Sequence, residues 1–225
     1  MKKYLNYILL FGFLQLGLNL GRTQVNVQVG YGLSFLNPKV NDAIIHDYLT
    51  ENDWLVKKDI QLNMLHGIDL GLKHTWSAIA MGIVWKNRGG KLNFEGLHPV
   101  TGSLNKQELF YSLNTYSLFL ETNGRFIGLG ATLDWNDFGI KQRYTGLDSK
   151  INIISEANWG HRFYLNLNFP AGNSAQICLQ FSYHLPYGEF DLNPLANSIL
   201  TNNSKLYSKD KWNQFGITLL INNGP

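Results

Sequence analysis

From Arg125 to Phe169 the chain repeats with a period of two. Ile127, Leu129, Ala131, Leu133 and Trp135 alternate with Gly128, Gly130, Thr132, Asp134 and Asn136. After a polar break, Trp159, His161, Phe163, Leu165, Leu167 and Phe169 alternate with Asn158, Gly160, Arg162, Tyr164, Asn166 and Asn168. Side chains in a strand point to opposite faces in turn, so this pattern dictates two long strands, each apolar on one side and polar on the other. Such strands pack their apolar faces together in a water-soluble sheet, or turn them outward to lipid in a membrane barrel.

The same alternation recurs along the chain. Val25, Val27, Val29, Tyr31, Leu33 and Phe35 form the apolar side of a first strand, and Leu62 to Leu72 that of a second. Ile79, Met81, Ile83 and Trp85 give a third, and residues 108–121 a fourth with poor alternation, which predicts a bulge near Thr115. Thr122-Asn123-Gly124 is a turn signal before the fifth. Ile177 to Leu185 and Phe215 to Ile221 supply the seventh and eighth. Long connections at 37–59, 86–106 and 186–211 alternate with short ones near 74, at 122–125 and at 170–174, with a moderate one at 143–150. Long loops at one end and short turns at the other, with both termini at the short-turn end, are what an eight-stranded membrane barrel requires. Within the first long connection, Asn41 to Leu49 reads as a short surface helix with Ala43, Ile44 and Tyr48 on its apolar side, placed to cap the barrel mouth.

The first residues have a different character. Lys2 and Lys3 precede an apolar run from Tyr4 to about Leu20, and small residues follow at Gly21 and Thr23. This layout predicts a signal peptide over 1–23 and a barrel over 24–225. The chain carries 19 basic and 16 acidic residues. Lys2, Lys3 and Arg22 lie in the export segment, so the mature chain is close to neutral and offers no nucleic-acid surface. Cys178 is the one cysteine, which excludes a disulfide framework.

The polar phase is rich in Gly, Asn, Gln, Ser and Thr and poor in Lys and Glu. Strand faces in bulk water carry more charge, whereas small polar groups suit a narrow lumen. Trp85, Trp135 and Trp159 each lie roughly ten residues from a short turn, on the apolar phase, which is the length of a tilted crossing. They are expected to form an aromatic belt at one interface.

Taken together, the pattern resembles the OmpA/OmpX-like family of small eight-stranded outer-membrane β-barrels of Gram-negative bacteria. The resemblance implies an all-β, eight-stranded antiparallel up-and-down transmembrane β-barrel in the outer membrane. Its partners would be outer-membrane lipid and, during biogenesis, the barrel assembly machinery, with no nucleic acid and no cofactor. Such proteins commonly end on an aromatic residue, and Ile221-Asn222-Asn223-Gly224-Pro225 departs from that.

Candidate chemistry is sparse. Asp69, Lys73, Asp134, Glu156 and Arg162 fall on the polar phase and are expected to pair in a lumen network, because buried charge must be compensated. Ser182, His184 and Glu189 contain the parts of an activated nucleophile and define an alternative, a barrel enzyme acting on outer-leaflet lipid. The lipid A deacylases, eight-stranded barrels with such a group, place the histidine before the serine and an Asn after it, and neither holds here. A small channel is a further alternative. His66 and His161 lie on the apolar phase, and Asp42, Asp47, Glu51 and Asp53 lack the spacing of a calcium loop, so no metal site is expected. The sequence reads as a barrel with a structural or surface-contact role, its long loops being the recognition elements.

Overall fold

The computed structural model describes residues 24–76, 78–146, 149–171, 175–201, 207 and 209–223. The segment read as a signal peptide lies outside them. Eight long strands are found among the described residues: β1 (Gln24–Leu36), β2 (Met64–Thr75), β3 (Ile79–Leu97), β4 (Leu104–Thr122), β5 (Ile127–Tyr144), β6 (Ile151–Pro170), β7 (Ala175–Pro186) and β8 (Gln214–Asn223). Each pairs antiparallel with the next, and β1 pairs with β8 to close the cylinder. This is the up-and-down barrel expected from the sequence.

Its partition is the reverse of a water-soluble barrel. Leu129, Leu133, Phe163, Leu118 and Leu72 are exposed on the outside, whereas Asp134, Asp69, Arg162 and Lys73 are buried within. From the turn end up to the tryptophan row each strand is paired on both sides, the condition for crossing hydrocarbon with strands. The outward apolar run on β5, Ile127 to Trp135, matches the roughly 9–11 residues that a tilted strand needs to cross.

At the turn end, Asn123 to Phe126 joins β4 to β5 where the Asn-Gly signal lies. Gly124 is required there by close approach: a Cβ would sit 1.8 Å from the Ile127 carbonyl oxygen. The left-handed glycines are at the opposite, loop end, Gly102 at φ 64° and Gly146 at φ 80°.

Three expectations change. Residues 86–97 and 104–106 are strand, not loop, so β3 and β4 form a hairpin that projects beyond the belt and turns at 98–103. The tail of β3 also takes on a two-residue strand, Lys57–Lys58, above the end of β2. The bulge expected near Thr115 is absent: β4 keeps one register with β3 and β5, and Leu109, Tyr111, Leu113, Thr115, Ser117, Phe119 and Glu121 all face inward. A register shift occurs instead between Ile140 and Lys141. Alternation on β4 looks poor because the interior is itself apolar toward the loop end. The third change explains why. Helix α1 (Lys39–Glu51) buries Asn41, Ile44, Ile45 and Tyr48, leaves Ala43 outside, and sits inside the mouth instead of lying across the surface.

The barrel interior therefore has two storeys. Toward the loop end, α1, helix α2 (Asn193–Ile199) and the chain around Trp212 fill the cylinder with an apolar core that includes Leu65, Phe94, Leu109, Phe138 and Ile140. Toward the turn end, the interior is polar.

Candidate functional site

The polar storey is built from one inward residue in every two. Asp134 on β5 is fully buried and accepts from Nε and Nη2 of Arg162 on β6, both at 3.2 Å. Thr132 donates to its other oxygen at 2.5 Å, and Nε2 of His184 on β7 lies 3.5 Å away. Asp69 on β2 faces Arg88 and, at 3.5 Å, Lys86, both from β3. Glu121 on β4 accepts from Lys73 at 3.1 Å, from the Tyr164 hydroxyl at 2.9 Å and from Asn166 at 3.0 Å. Gln180 links the groups, accepting from Lys86 at 3.2 Å and donating to Asn166 at 3.0 Å. Four cations thus meet three carboxylates, and each carboxylate has a cationic partner as burial demands.

Glycines on the inward phase make room for these side chains. A Cβ on Gly130 would lie 2.2 Å from the Tyr164 ring, and one on Gly32 would lie 2.2 Å from the Arg88 guanidinium. Among Gln28, Asp69, Lys86, Glu121, Thr132 and Tyr164 lies a cavity of about 20 Å³. That is room for about one water molecule.

Of the five residues assigned to the lumen network, Asp69, Lys73, Asp134 and Arg162 lie in it. Glu156 does not. It sits higher on β6, part-buried, and accepts from the Asp191 backbone N–H at 3.1 Å, fastening the loop after β7. Lys86, Arg88 and Glu121 belong to the network and were missed. Lys86 and Arg88 fall in a stretch that reads as a polar loop, yet the period of two runs on through Lys86, Arg88, Gly90, Leu92 and Phe94, all placed toward the interior or its apolar plug. That continuation was the available signal.

Ser182 and His184 both face the interior and are buried, while Glu189 is exposed at the loop end. Among the described residues no hydrogen bond joins Ser182 to His184, whose Nε2 faces Asp134 and Asn136 instead. The three do not form a catalytic constellation. Outside, Trp85, Tyr116, Trp135 and Trp159 occupy one row of register partners, with Trp135 and Trp159 edge to face at 4.9 Å. His66 and His161 also point outward, His66 bonded to the Tyr31 hydroxyl and His161 against Phe163 and Tyr187. Among the described residues no three His, Cys, Asp or Glu side chains gather as a metal would require.

The plug is pinned by polar contacts at its rim. α1 begins at Pro38 with no cap of its own, and Asp210 fills that role, accepting from the Val40 and Asn41 N–H groups at 2.9 and 3.3 Å. Tyr111 donates to Asn41 at 2.9 Å and Tyr48 to Gln107 at 2.7 Å. Burial pushes the Tyr48 hydroxyl up to about 12, so it remains a donor. Trp212 packs against Phe138 at 4.4 Å and Phe190 at 5.9 Å. On the outer wall at this height, Glu108 is covered by Lys91, Lys106 and Arg143. The hydrogen bond from Lys91, then that from Arg143, holds its carboxyl down at about 2.

No family model and no curated protein matches the chain. Among solved structures it is similar to Neisserial surface protein A (NspA), at 6% identity and a TM-score of 0.46, over 91% of this chain and 100% of that one. It is similar also to Ail, the attachment invasion locus protein of Yersinia pestis, at 11% identity and a TM-score of 0.42, over 88% and 97% of the two chains. A third likeness is to the outer membrane protease OmpT from Escherichia coli, at 8% identity and a TM-score of 0.40, over 91% and 99%.

Proposed function

We propose that this chain is an integral outer-membrane protein, exported by its amino-terminal segment and held in the lipid by its apolar wall. Its role is structural or one of surface contact, without catalysis. The observation that carries the reading is the partition across β5 and β6: Leu129, Leu133 and Phe163 stand exposed while Asp134 and Arg162 are buried. No aqueous environment favours that arrangement, because it leaves a continuous apolar band in water and removes charges from it. Surrounding lipid makes both terms favourable.

The sealed interior bears on the rival readings. A lumen crowded by paired side chains and closed above by the plug supports a wall protein over a conduit. Ser182 and His184, turned into that lumen, have no path to an acyl chain. In this reading the loop end faces the cell exterior and the rows of tryptophan and tyrosine mark the outer interface. Outer-membrane lipid surrounds the barrel, and the barrel assembly machinery inserts it.

The test is fractionation with gel migration. The folded chain should partition with the outer membrane and migrate faster unheated than boiled, and planar bilayers containing it should show no steady conductance. Recovery in a soluble fraction, or migration indifferent to heating, would refute the reading.

A further inference from the structure

Among the interior carboxylates Glu121 differs in what it joins. Its Oε1 lies 3.1 Å from the amine of Lys73 on β2. Its Oε2 accepts from Nδ2 of Asn166 on β6 at 3.0 Å and from the Tyr164 hydroxyl at 2.9 Å. An amine and a carboxamide from opposite walls of the cylinder are thus held on a single carboxylate. The carboxamide is engaged at its carbonyl end as well, where Gln180 Nε2 donates to Asn166 Oδ1 at 3.0 Å. The Lys86 ammonium donates to Gln180 Oε1 at 3.2 Å and so fixes which way that amide points. Lys73, Glu121, Asn166 and Gln180 are all buried. Apolar groups close in around them: Val84, Phe119 and Tyr164 form one cluster, and Leu220 lines the same cavity as Glu121 and Gln180. Charge compensation accounts for Lys73 facing Glu121 and leaves the aligned carboxamide unexplained.

These are the parts of an amide-forming site: a nucleophile beside its base, a leaving group beside the same carboxyl, and a donor on the carbonyl oxygen. We propose that Lys73 and Asn166 condense to an isopeptide bond that ties β2 to β6 across the lumen, with Glu121 as general base and acid. Oε1 takes a proton from the Lys73 ammonium, and the freed Nζ attacks Cγ of Asn166. The oxyanion that forms at Oδ1 is met by the Gln180 N–H. The Cγ–Nδ2 bond then breaks as Glu121 hands its proton to Nδ2 and takes the second one from Nζ. Ammonia departs and Glu121 is left protonated. The atoms balance without an oxidant or a cofactor: an ammonium, a carboxylate and a primary amide give a secondary amide, a carboxylic acid and ammonia. Sharing one carboxylate makes the step effectively unimolecular. The cavity lined by Glu121, Tyr164 and Gln180 gives the ammonia a place to go. The reaction runs once per chain, and it replaces a buried ion pair by neutral groups, which removes the cost of keeping those charges out of water. Asn26, the register partner of Lys73, is the competing carboxamide. Its amide has no hydrogen-bond partner among the described residues, so nothing aligns it with Glu121.

The experiment uses the full mature barrel, folded from urea into detergent and sampled over time. Each sample is boiled, digested with trypsin and mapped by mass spectrometry. A lysine held in an amide resists trypsin. The wild type should therefore yield a branched species that joins residues 59–86 to residues 163–205 and is lighter than the two peptides together by one ammonia. E121Q keeps the shape of the side chain without the base and should form the branch at least about a hundredfold more slowly. Q180L removes only the donor to the carbonyl oxygen and should slow it by about a hundredfold. Heat-modifiable migration reports that each protein has folded, and the wild-type map decides the matter even where a variant fails to fold. Complete cleavage after Lys73 in the folded wild type, a branch through Asn26 instead of Asn166, or an undiminished rate in folded E121Q would overturn the assignment.

Discussion

Replacing Asp134 by Asn is the sharpest test of the polar storey. The substitution keeps shape and an acceptor but removes the negative charge opposite Arg162, at 3.2 Å from both Nε and Nη2. Asp134 is 0% exposed and Arg162 4%, so bulk solvent does little to take over the lost partner. At an effective dielectric near 20, a pair at that distance is worth about 5 kcal/mol. Measured losses on breaking buried pairs are about 3–5 kcal/mol, and the two agree. The loss falls on the cation, because four interior cations would then face two carboxylates. We expect D134N to lower unfolding stability by about 3–5 kcal/mol in urea titrations of the barrel in vesicles, followed by tryptophan fluorescence and by heat-modifiable migration. The D134L/R162M double variant should recover to within about 1 kcal/mol of wild type, since an apolar pair of similar volume carries no desolvation cost. A D134N loss below about 1 kcal/mol would mean that the lumen is screened by water and that the argument from burial is mistaken.

Other consequences follow from the same geometry. Phe163→Arg, midway up the apolar wall between Leu167 and Trp159, should cost about 2–4 kcal/mol in bilayers, whereas a wall facing water would accept it with no such loss. Trp212→Ala should release the plug at a cost of about 3–5 kcal/mol; limited proteolysis would cut the 187–213 segment while the barrel band persists. Glu108 has its carboxyl held at about 2, below the ordinary 4.5. Its contribution is therefore full above about pH 4.5 and disappears as pH falls through about 2. With half-exposed partners this amounts to about 1 kcal/mol, and E108Q should flatten the acid limb of the stability curve by that much.

The strand pattern, the closed sheet and the wet inner face were all legible in the chain, because a period of two assigns each residue to a face without reference to any partner. Hairpin counting sets Asp134 opposite Arg162; the register pairs Asp134 with Gly160 and Arg162 with Thr132, and the two side chains meet across that diagonal. The ends of the long hairpin were not legible. Lys86 and Arg88 read as loop residues by their charge although the period of two continues through them, and only the carboxylate of Asp69 on the adjoining strand shows why two cations can face inward there. Glu156 was misplaced for the converse reason: its phase is right, but its height puts it beside the loop after β7 and out of reach of the network. On β4, Leu109, Tyr111 and Leu113 break the polar-inside rule because a helix from another part of the chain lies against them. Alternation is a local property of the backbone, so sequence determined which way each side chain points. What it points at depends on chain segments distant in sequence, and the two-storey interior was decided only when those segments closed on one another.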